Sequence, residues 1–355
     1  MKKSLVSLGL VCLFVITGCA TYIKVRVLKP AQYDVGSIRK IAISDFKVKG
    51  NYLSNDDQSL ASIAANALIS AITGTKTNNS ITPSYSIKDS FLSEIIMNGH
   101  FKVIDKNNFI PILEYDNSLA KLEEIKKATD AEAILTGEGN YSLNDNGEWI
   151  DDITYKNGVK ITNKKYRINR RIETSISYKF IDTRTGEVLV ARTNSTSDTK
   201  SETGEDQDKA RNNFSDWKNE VNQQLQTLVS NSVKQFAPYY VYEDKEIREG
   251  KSYLMKSAFQ DAKIEKLEEA KLKCENLIKN KDSLEKEYKE DYLLAKYNLG
   301  VYYEINNQPE KAEQLFEECY KMSKDYFYQQ SSLRANNRKF ELDRLRKQNA
   351  IDNKK

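Results

Sequence analysis

The sequence predicts an α+β chain: a mixed α/β sandwich with helices packed on a sheet, followed by an all-α domain built on a helical hairpin. Three observations predict it. Strand-like apolar runs give way to helical periodicity and then return as strands, the order expected when helices cover a sheet. From about Glu243 onward only helical patterning appears, broken by polar turns at Lys279 to Asp282 and Asn306 to Pro309. Charged residues make up 30% of the chain and glycine only 14 of 355 positions, a composition that suits a helix-rich part.

The elements follow in chain order. Tyr22 to Leu28 alternates as a strand, and Pro30 stops it. Ile38 to Phe46 is a second strand, central because its core is nearly continuous apolar. Leu60 to Ile72 carries small residues at helical spacing, and Gly74 to Ser84 is a loop. Ile87 to Asn98 is a helix with Phe91, Leu92, Ile95 and Ile96 on one side and Gly99 as its cap. Phe101 to Asp105 is a short strand, Leu119 to Thr129 a helix, and Ala133 to Gly137 a strand running into a turn. Ile172 to Ile181 has period two, Thr183 to Gly186 is a tight turn, and Glu187 to Thr193 returns as the hairpin partner. Ser197 to Asp208 reads as a polar loop, and Asn144-Asp145-Asn146-Gly147 as a hairpin turn. Trp217 to Phe236 is an amphipathic helix carrying Val221, Leu225, Leu228, Val229 and Val233.

The N-terminus reads as an address. Met1, Lys2 and Lys3 form a positive region, and Leu5 to Thr17 is an apolar stretch too short to span a bilayer. Ile16-Thr17-Gly18-Cys19 then has the form of a lipobox: an apolar residue, two small or polar ones and the cysteine that takes diacylglycerol. Two or three acyl chains, at roughly 0.8 kcal/mol per buried methylene, anchor stably where one would not. The expectation is a leader over 1–18 and a mature protein held to membrane lipid through acylated Cys19. Ala20, where many Gram-negative lipoproteins retained in the inner membrane carry aspartate, favours the outer membrane.

Composition narrows the function classes. Lys and Arg number 55 against 51 Asp and Glu, and loss of Lys2 and Lys3 with the leader leaves the charges nearly balanced. That balance, with export, argues against nucleic acid as a partner. Cys274 and Cys319 remain besides the anchor; they are expected as small buried apolar side chains rather than a disulfide framework.

Four segments carry a resemblance to the CsgG-like family, named for the curli-secretion lipoprotein. They are Lys29-Pro30-Ala31 with Ile41 to Phe46; Leu92 to Asp105, including Asn98-Gly99-His100-Phe101; Ala128 to Gly137; and Phe180 to Val188. The resemblance covers roughly residues 25 to 238. It implies the sandwich fold shared with lipoprotein activators of penicillin-binding proteins and with the N-terminal domain of the TolB translocation protein. Further on, Leu299-Gly300, Tyr303, Ala312 and Phe316 fall at tetratricopeptide-repeat spacings. Helix A of that repeat is Tyr292 to Ile305 and helix B Pro309 to Met322, with Leu267 to Ile278 as helix B of a degenerate preceding repeat. Gly300 and Ala312 let the two helices approach. The chain is thus expected to divide into 1–18, 19–242, 243–345 and a polar tail over 346–355.

In such repeats the inner face of helix A binds partners, which here maps to Leu294, Tyr297, Val301 and Glu304; the alternative is that this face packs on the first domain. In the curli-secretion family hairpins assemble into an outer-membrane barrel, whose strands need about 9–11 residues with an apolar lipid face. Asn140 to Arg171 and Ala191 to Lys209 carry charge or polarity on both alternating faces, so these hairpins are expected to be soluble.

No constellation for catalysis emerges. His100 is the single histidine, which leaves no histidine triad or metal cluster, and it reads as a turn residue. Gly74-Thr75-Lys76-Thr77 lacks the earlier glycine of a phosphate loop, and Asp151-Asp152 with Glu148 reads as a solvated loop. No cofactor and no metal are expected. The sequence therefore points to a non-enzymatic accessory that binds an envelope protein. A curli-type channel subunit and a glycan-acting enzyme are the alternatives, and a second copy of the chain is a further candidate partner.

Overall fold

The structure, a computed structural model, describes residues 20–54, 84–104, 119–280 and 289–348. Helices and strands are both abundant, and the chain divides into two compact units: Pro30–Tyr239 with Leu345–Lys355, and Met1–Lys29 with Tyr240–Arg344. The helix expected over Leu60 to Ile72, the loop that follows it and the Gly74-Thr75-Lys76-Thr77 motif lie outside the described residues.

The first unit holds a six-stranded mixed sheet. Its elements are β2 (Lys40–Ile43), β3 (Lys47–Ser54), α1 (Ser84–Asn98), β4 (Lys102–Val103), α2 (Leu119–Thr129), β5 (Ala133–Lys156), β6 (Val159–Asp182), β7 (Val188–Gly204), α3 (Gln207–Asn212) and α4 (Trp217–Phe236). The strand order is β4-β2-β5-β6-β7, with β3 also parallel to β5. Ser44 N donates to Leu135 O at 2.9 Å, so β2 and β3 follow β5 as one interrupted line. β5, β6 and β7 form an antiparallel meander.

Alternation decides which helix covers which face. Ile41, Ile43, Leu135, Leu143, Ile172, Ile176 and Phe180 point one way and pack with Ile87, Phe91 and Ile95 of α1 and Val221, Leu225, Val229, Val233 and Phe236 of α4. Ala42, Ile134 and Ile181 point the other way, against Leu122 and Ile125 of α2. β2 is buried on both faces, as its apolar run predicts. Each fully buried large apolar side chain contributes roughly 1.5–3 kcal/mol. Asp216 caps α4, its side chain accepting from Lys218 N at 3.0 Å. Gly137 admits no side chain, because a Cβ there would collide with the Ser177 carbonyl oxygen of β6. Gly99 ends α1 at φ +75°.

Several expectations need correction here. Ala133 to Gly137 is only the start of a 24-residue strand, and β6 is equally long. The Asn144 to Gly147 stretch is strand; the turn is Asn157-Gly158, both at positive φ, closing Lys156 onto Val159. Asp151 and Asp152 are likewise strand residues, and β7 with α3 replaces the loop expected over Ser197 to Asp208. Polar composition hid these strands because cross-strand partners satisfy their charges: Arg170 donates twice to Asp145 at 2.9 Å with both side chains buried.

The second unit joins β1 (Ala20–Lys29) and β8 (Tyr239–Arg248) to α5 (Tyr253–Lys263), α6 (Leu267–Lys279), α7 (Lys289–Ile305), α8 (Pro309–Ser323) and α9 (Tyr326–Lys347). β1 pairs with β8, and Ile23 enters a core with Ile247, Met255 and Phe259. The expected boundary at 242/243 therefore falls within β8, and the first strand belongs with the helices. Strand structure also continues to Arg248; Lys245 and Ile247 face inward, a pattern masked by the charged residues around them. α7 and α8 match the expected helices A and B, and α6 the preceding one. A Cβ on Gly300 would sit 2.6 Å from the Phe316 ring, so α7 and α8 approach only because the position is glycine. The tail is not free from 346: Gln348 is buried, with its amide paired to the Ala31 backbone.

Candidate functional site

Cys19 lies outside the described residues. The helix A face is inside them, and it is covered. Tyr297, Val301 and Glu304 are buried and Leu294 is half-buried. Tyr297 packs against Phe316, Phe327 and Tyr328 at centroid distances of 5.6, 5.1 and 5.7 Å, and its hydroxyl donates to Glu246 O at 3.2 Å. The occupants are β8 and α9 of the same unit. The physical reason is that a single helix pair cannot bury both of its faces, so β8 and α9 cover the one left open. The expectation that this face is open to a partner is corrected.

Glu304 is the hub of the cover. It accepts from Arg334 at 2.9–3.2 Å and from Lys245 at 3.3 Å. Lys245 also pairs with Glu243 (2.9 Å), Glu243 with Lys29 (2.6 Å), Lys29 with Glu341 (2.9 Å) and Glu341 with Arg338 (2.8 Å). Arg338 further donates to Leu28 O at 2.7 Å. One chain of charges thus ties β1, β8, α7 and α9 together. Burial pushes the Glu243 carboxyl up, but the bonds from Lys29 and Lys245 outweigh it and hold Glu243 down at about 2.

Among the described residues an open surface lies on the sheet of the other unit, on the face turned away from α4. Period-two alternation there sets small polar residues in straight rows across four strands. Lys49, Asn140, Ser175 and Ser195 form one row; Ser142, Glu173 and Ser197 form the next. These rows line a concavity of about 910 Å³. Arg171 pairs with Glu173 at 2.6 Å, Ser142 Oγ donates to the same carboxylate at 3.4 Å, and Lys49 pairs with Glu138 at 3.2 Å. The lining offers hydroxyl and amide groups, one acid and two cations, a set suited to hydrogen-bonding an extended polar ligand. Sequence reasoning missed it because the strand expectation stops at Thr193 and Ser197 to Asp208 reads as loop. Its signal is the small hydroxyl at alternate positions Thr193, Ser195, Ser197 and Thr199.

The remaining reactive groups are set apart. His100 packs edge-on against Phe101 at 4.7 Å; burial, helped by the Arg39 charge, lowers it to about 4 and keeps it neutral. Cys274 and Cys319 are free and buried, and burial pushes both thiols up to about 12, as expected of apolar packing groups. Among the described residues no group of three or more His, Cys, Asp or Glu converges as for a metal ion.

The fold so defined is a six-stranded mixed sheet covered by helices, followed by a helical unit. No family model matches the sequence, and no curated protein matches it. Among solved structures, the PelC dodecamer from Paraburkholderia phytofirmans is similar over 61% of this chain and 98% of its own, at 12% identity and TM-score 0.24. A putative neuraminyllactose-binding hemagglutinin homolog from Helicobacter pylori covers 59% and 90%, at 10% identity and TM-score 0.26. Lipoprotein GNA1162 from Neisseria meningitidis covers 56% and 96%, at 13% identity and TM-score 0.15. Scores of this size carry no argument about what the chain does.

Proposed function

We propose that this chain is an envelope lipoprotein, anchored through acylated Cys19, that works without catalysis by binding another envelope protein on the polar rows of β3, β5, β6 and β7. The observation that carries the reading is the sequence of the leader: Lys2 and Lys3, the apolar Leu5 to Thr17, and Ile16-Thr17-Gly18 immediately before Cys19. The rows supply the contact surface, offering hydroxyl and amide groups at strand spacing to hydrogen-bond an extended polypeptide. The CsgG-like and tetratricopeptide resemblances belong to the same reading.

Two measurements test it. Mass spectrometry of the native N-terminus should find acylated Cys19 as the first residue, and Cys19→Ser should move the protein out of the membrane fraction. A photo-crosslinking residue at Ser175 should capture a discrete envelope protein in intact cells, while the same residue at Lys126 should not. Unmodified Cys19 or identical capture from both positions sinks the proposal. A curli-type channel is the less favoured alternative: Glu148–Arg167 and Asp152–Lys165 lie on one face of the β5–β6 ribbon and Asp151–Lys164 on the other. One charge at mid-membrane depth on a lipid face costs about 2–4 kcal/mol.

A further inference from the structure

Beyond Trp149 and Tyr166 the β5–β6 hairpin runs on alone among the described residues, because β3 ends opposite Asp145 and β7 opposite Tyr166. A two-stranded ribbon with no third strand has little reason to display apolar groups. This one does. Ile153 and Tyr155 are exposed on one face and Val159 and Ile161 on the other, Tyr155 at 72% and Val159 at 65%.

Charge is segregated along the same ribbon. The acids stop at Asp151 and Asp152, which pair with Lys164 and Lys165. Past them come Lys156 and Lys160, with no acid in the stretch from Ile153 to Lys160. A protein partner docking on a ribbon covers one face. Apolar side chains on both faces of the end call for a medium that surrounds it, and the two lysines call for that medium to be anionic. The acid-free end is four or five residues per strand, roughly 15 Å at about 3.3 Å per residue. That is enough to enter the headgroup layer and the acyl boundary, some 5–10 Å deep, and far short of a span.

We infer that the end of the β5–β6 hairpin is a second, reversible membrane contact that dips end-on into an anionic lipid surface. Tyr155, Ile153, Val159 and Ile161 enter the interface, and Lys156 and Lys160 reach up to lipid phosphates with their stems along the apolar cluster. This goes beyond the anchoring proposed for Cys19 and does not depend on it.

The test uses the full chain with Cys19→Ser, which no lipid can modify, and Thr154→Cys carrying an environment-sensitive fluorophore. Buried Cys274 and Cys319 stay unlabelled in the folded protein, and a chain without Thr154→Cys gives the background from Cys12. Every variant carries the same residues 1–19, so a contribution of that segment is common to all and only the hairpin substitutions separate them. Vesicles of phosphatidylcholine with phosphatidylglycerol should shift its emission to the blue, and phosphatidylcholine alone should not. K156E/K160E should weaken the response at least about tenfold, as should Tyr155→Ser with Val159→Ser. The charge-matched K126E/K127E, on the exposed last turn of α2, should leave it unchanged, and raised salt should weaken it. No shift with anionic vesicles, an equal shift with neutral ones, or a shift that survives K156E/K160E overturns the inference. Acylation of Cys19 is read separately by mass, so the two proposals fail independently.

Discussion

The two units handle charge in opposite ways. In the helical unit seven charged side chains, from Arg334 through Glu304, Lys245, Glu243, Lys29 and Glu341 to Arg338, join elements distant in sequence and close a surface. In the α/β unit ion pairs such as Arg167–Glu148 and Lys165–Asp152 join neighbouring strands side by side and close no surface. The difference teaches that a repeat-like helix pair is not by itself a binding groove. What decides is whether the chain has spare elements to fill it.

That contrast can be broken by substitution. Trp149 and Trp217 both lie in the α/β unit, so tryptophan fluorescence follows that unit while circular dichroism follows both. The largest expected effect is Phe316→Ala, which should cost about 3–5 kcal/mol in urea unfolding followed by circular dichroism, because the ring is fully buried between α7 and α8. Glu304→Ala should cost about 3 kcal/mol by the same measurement, since it strands Lys245 and Arg334 without their shared acid. Equal stability of Glu304→Ala and the parent would mean that the network does not hold the cover. Acid should act next. Glu243 is depressed in the fold, so its contribution is whole above about 4.5 and is lost as pH falls toward about 2. Thermal unfolding should therefore fall through that window, and Glu243→Gln should flatten the fall. The smallest effect belongs to the open face: Ser195→Ala should change stability by less than about 0.5 kcal/mol. A larger loss would show that the polar rows are structural rather than a surface for a partner.

Helices were the legible part of the sequence. α4 and α2 begin and end at the expected residues because a period of 3.6, a capping Asp216 and a following break are all local signals. The α7 and α8 helices were legible for the same reason, with Gly300, Ala312 and Phe316 at their contact. The long strands were not. The local cues in them are slight, the Asn157-Gly158 turn and the alternate hydroxyls from Thr193 to Thr199, and their polar side chains gain partners only once Arg170 meets Asp145 and Ser177 meets Thr193. The candidate site suffered twice. Repeat spacing identified the inner face of helix A but not what covers it, and the polar rows exist only after four strands separated in sequence come into register.

Gln348 carries one more consequence. Its side-chain amide takes the place of a neighbouring peptide unit, accepting from Ala31 N at 2.9 Å and donating to Ala31 O at 3.2 Å, while its own carbonyl accepts from Arg39 at 2.7 Å. A residue near one terminus thereby completes the backbone of a residue near the other. Expression designs that trim the C-terminus back past this glutamine would unlatch Ala31, whereas fusions appended after it keep the clasp intact.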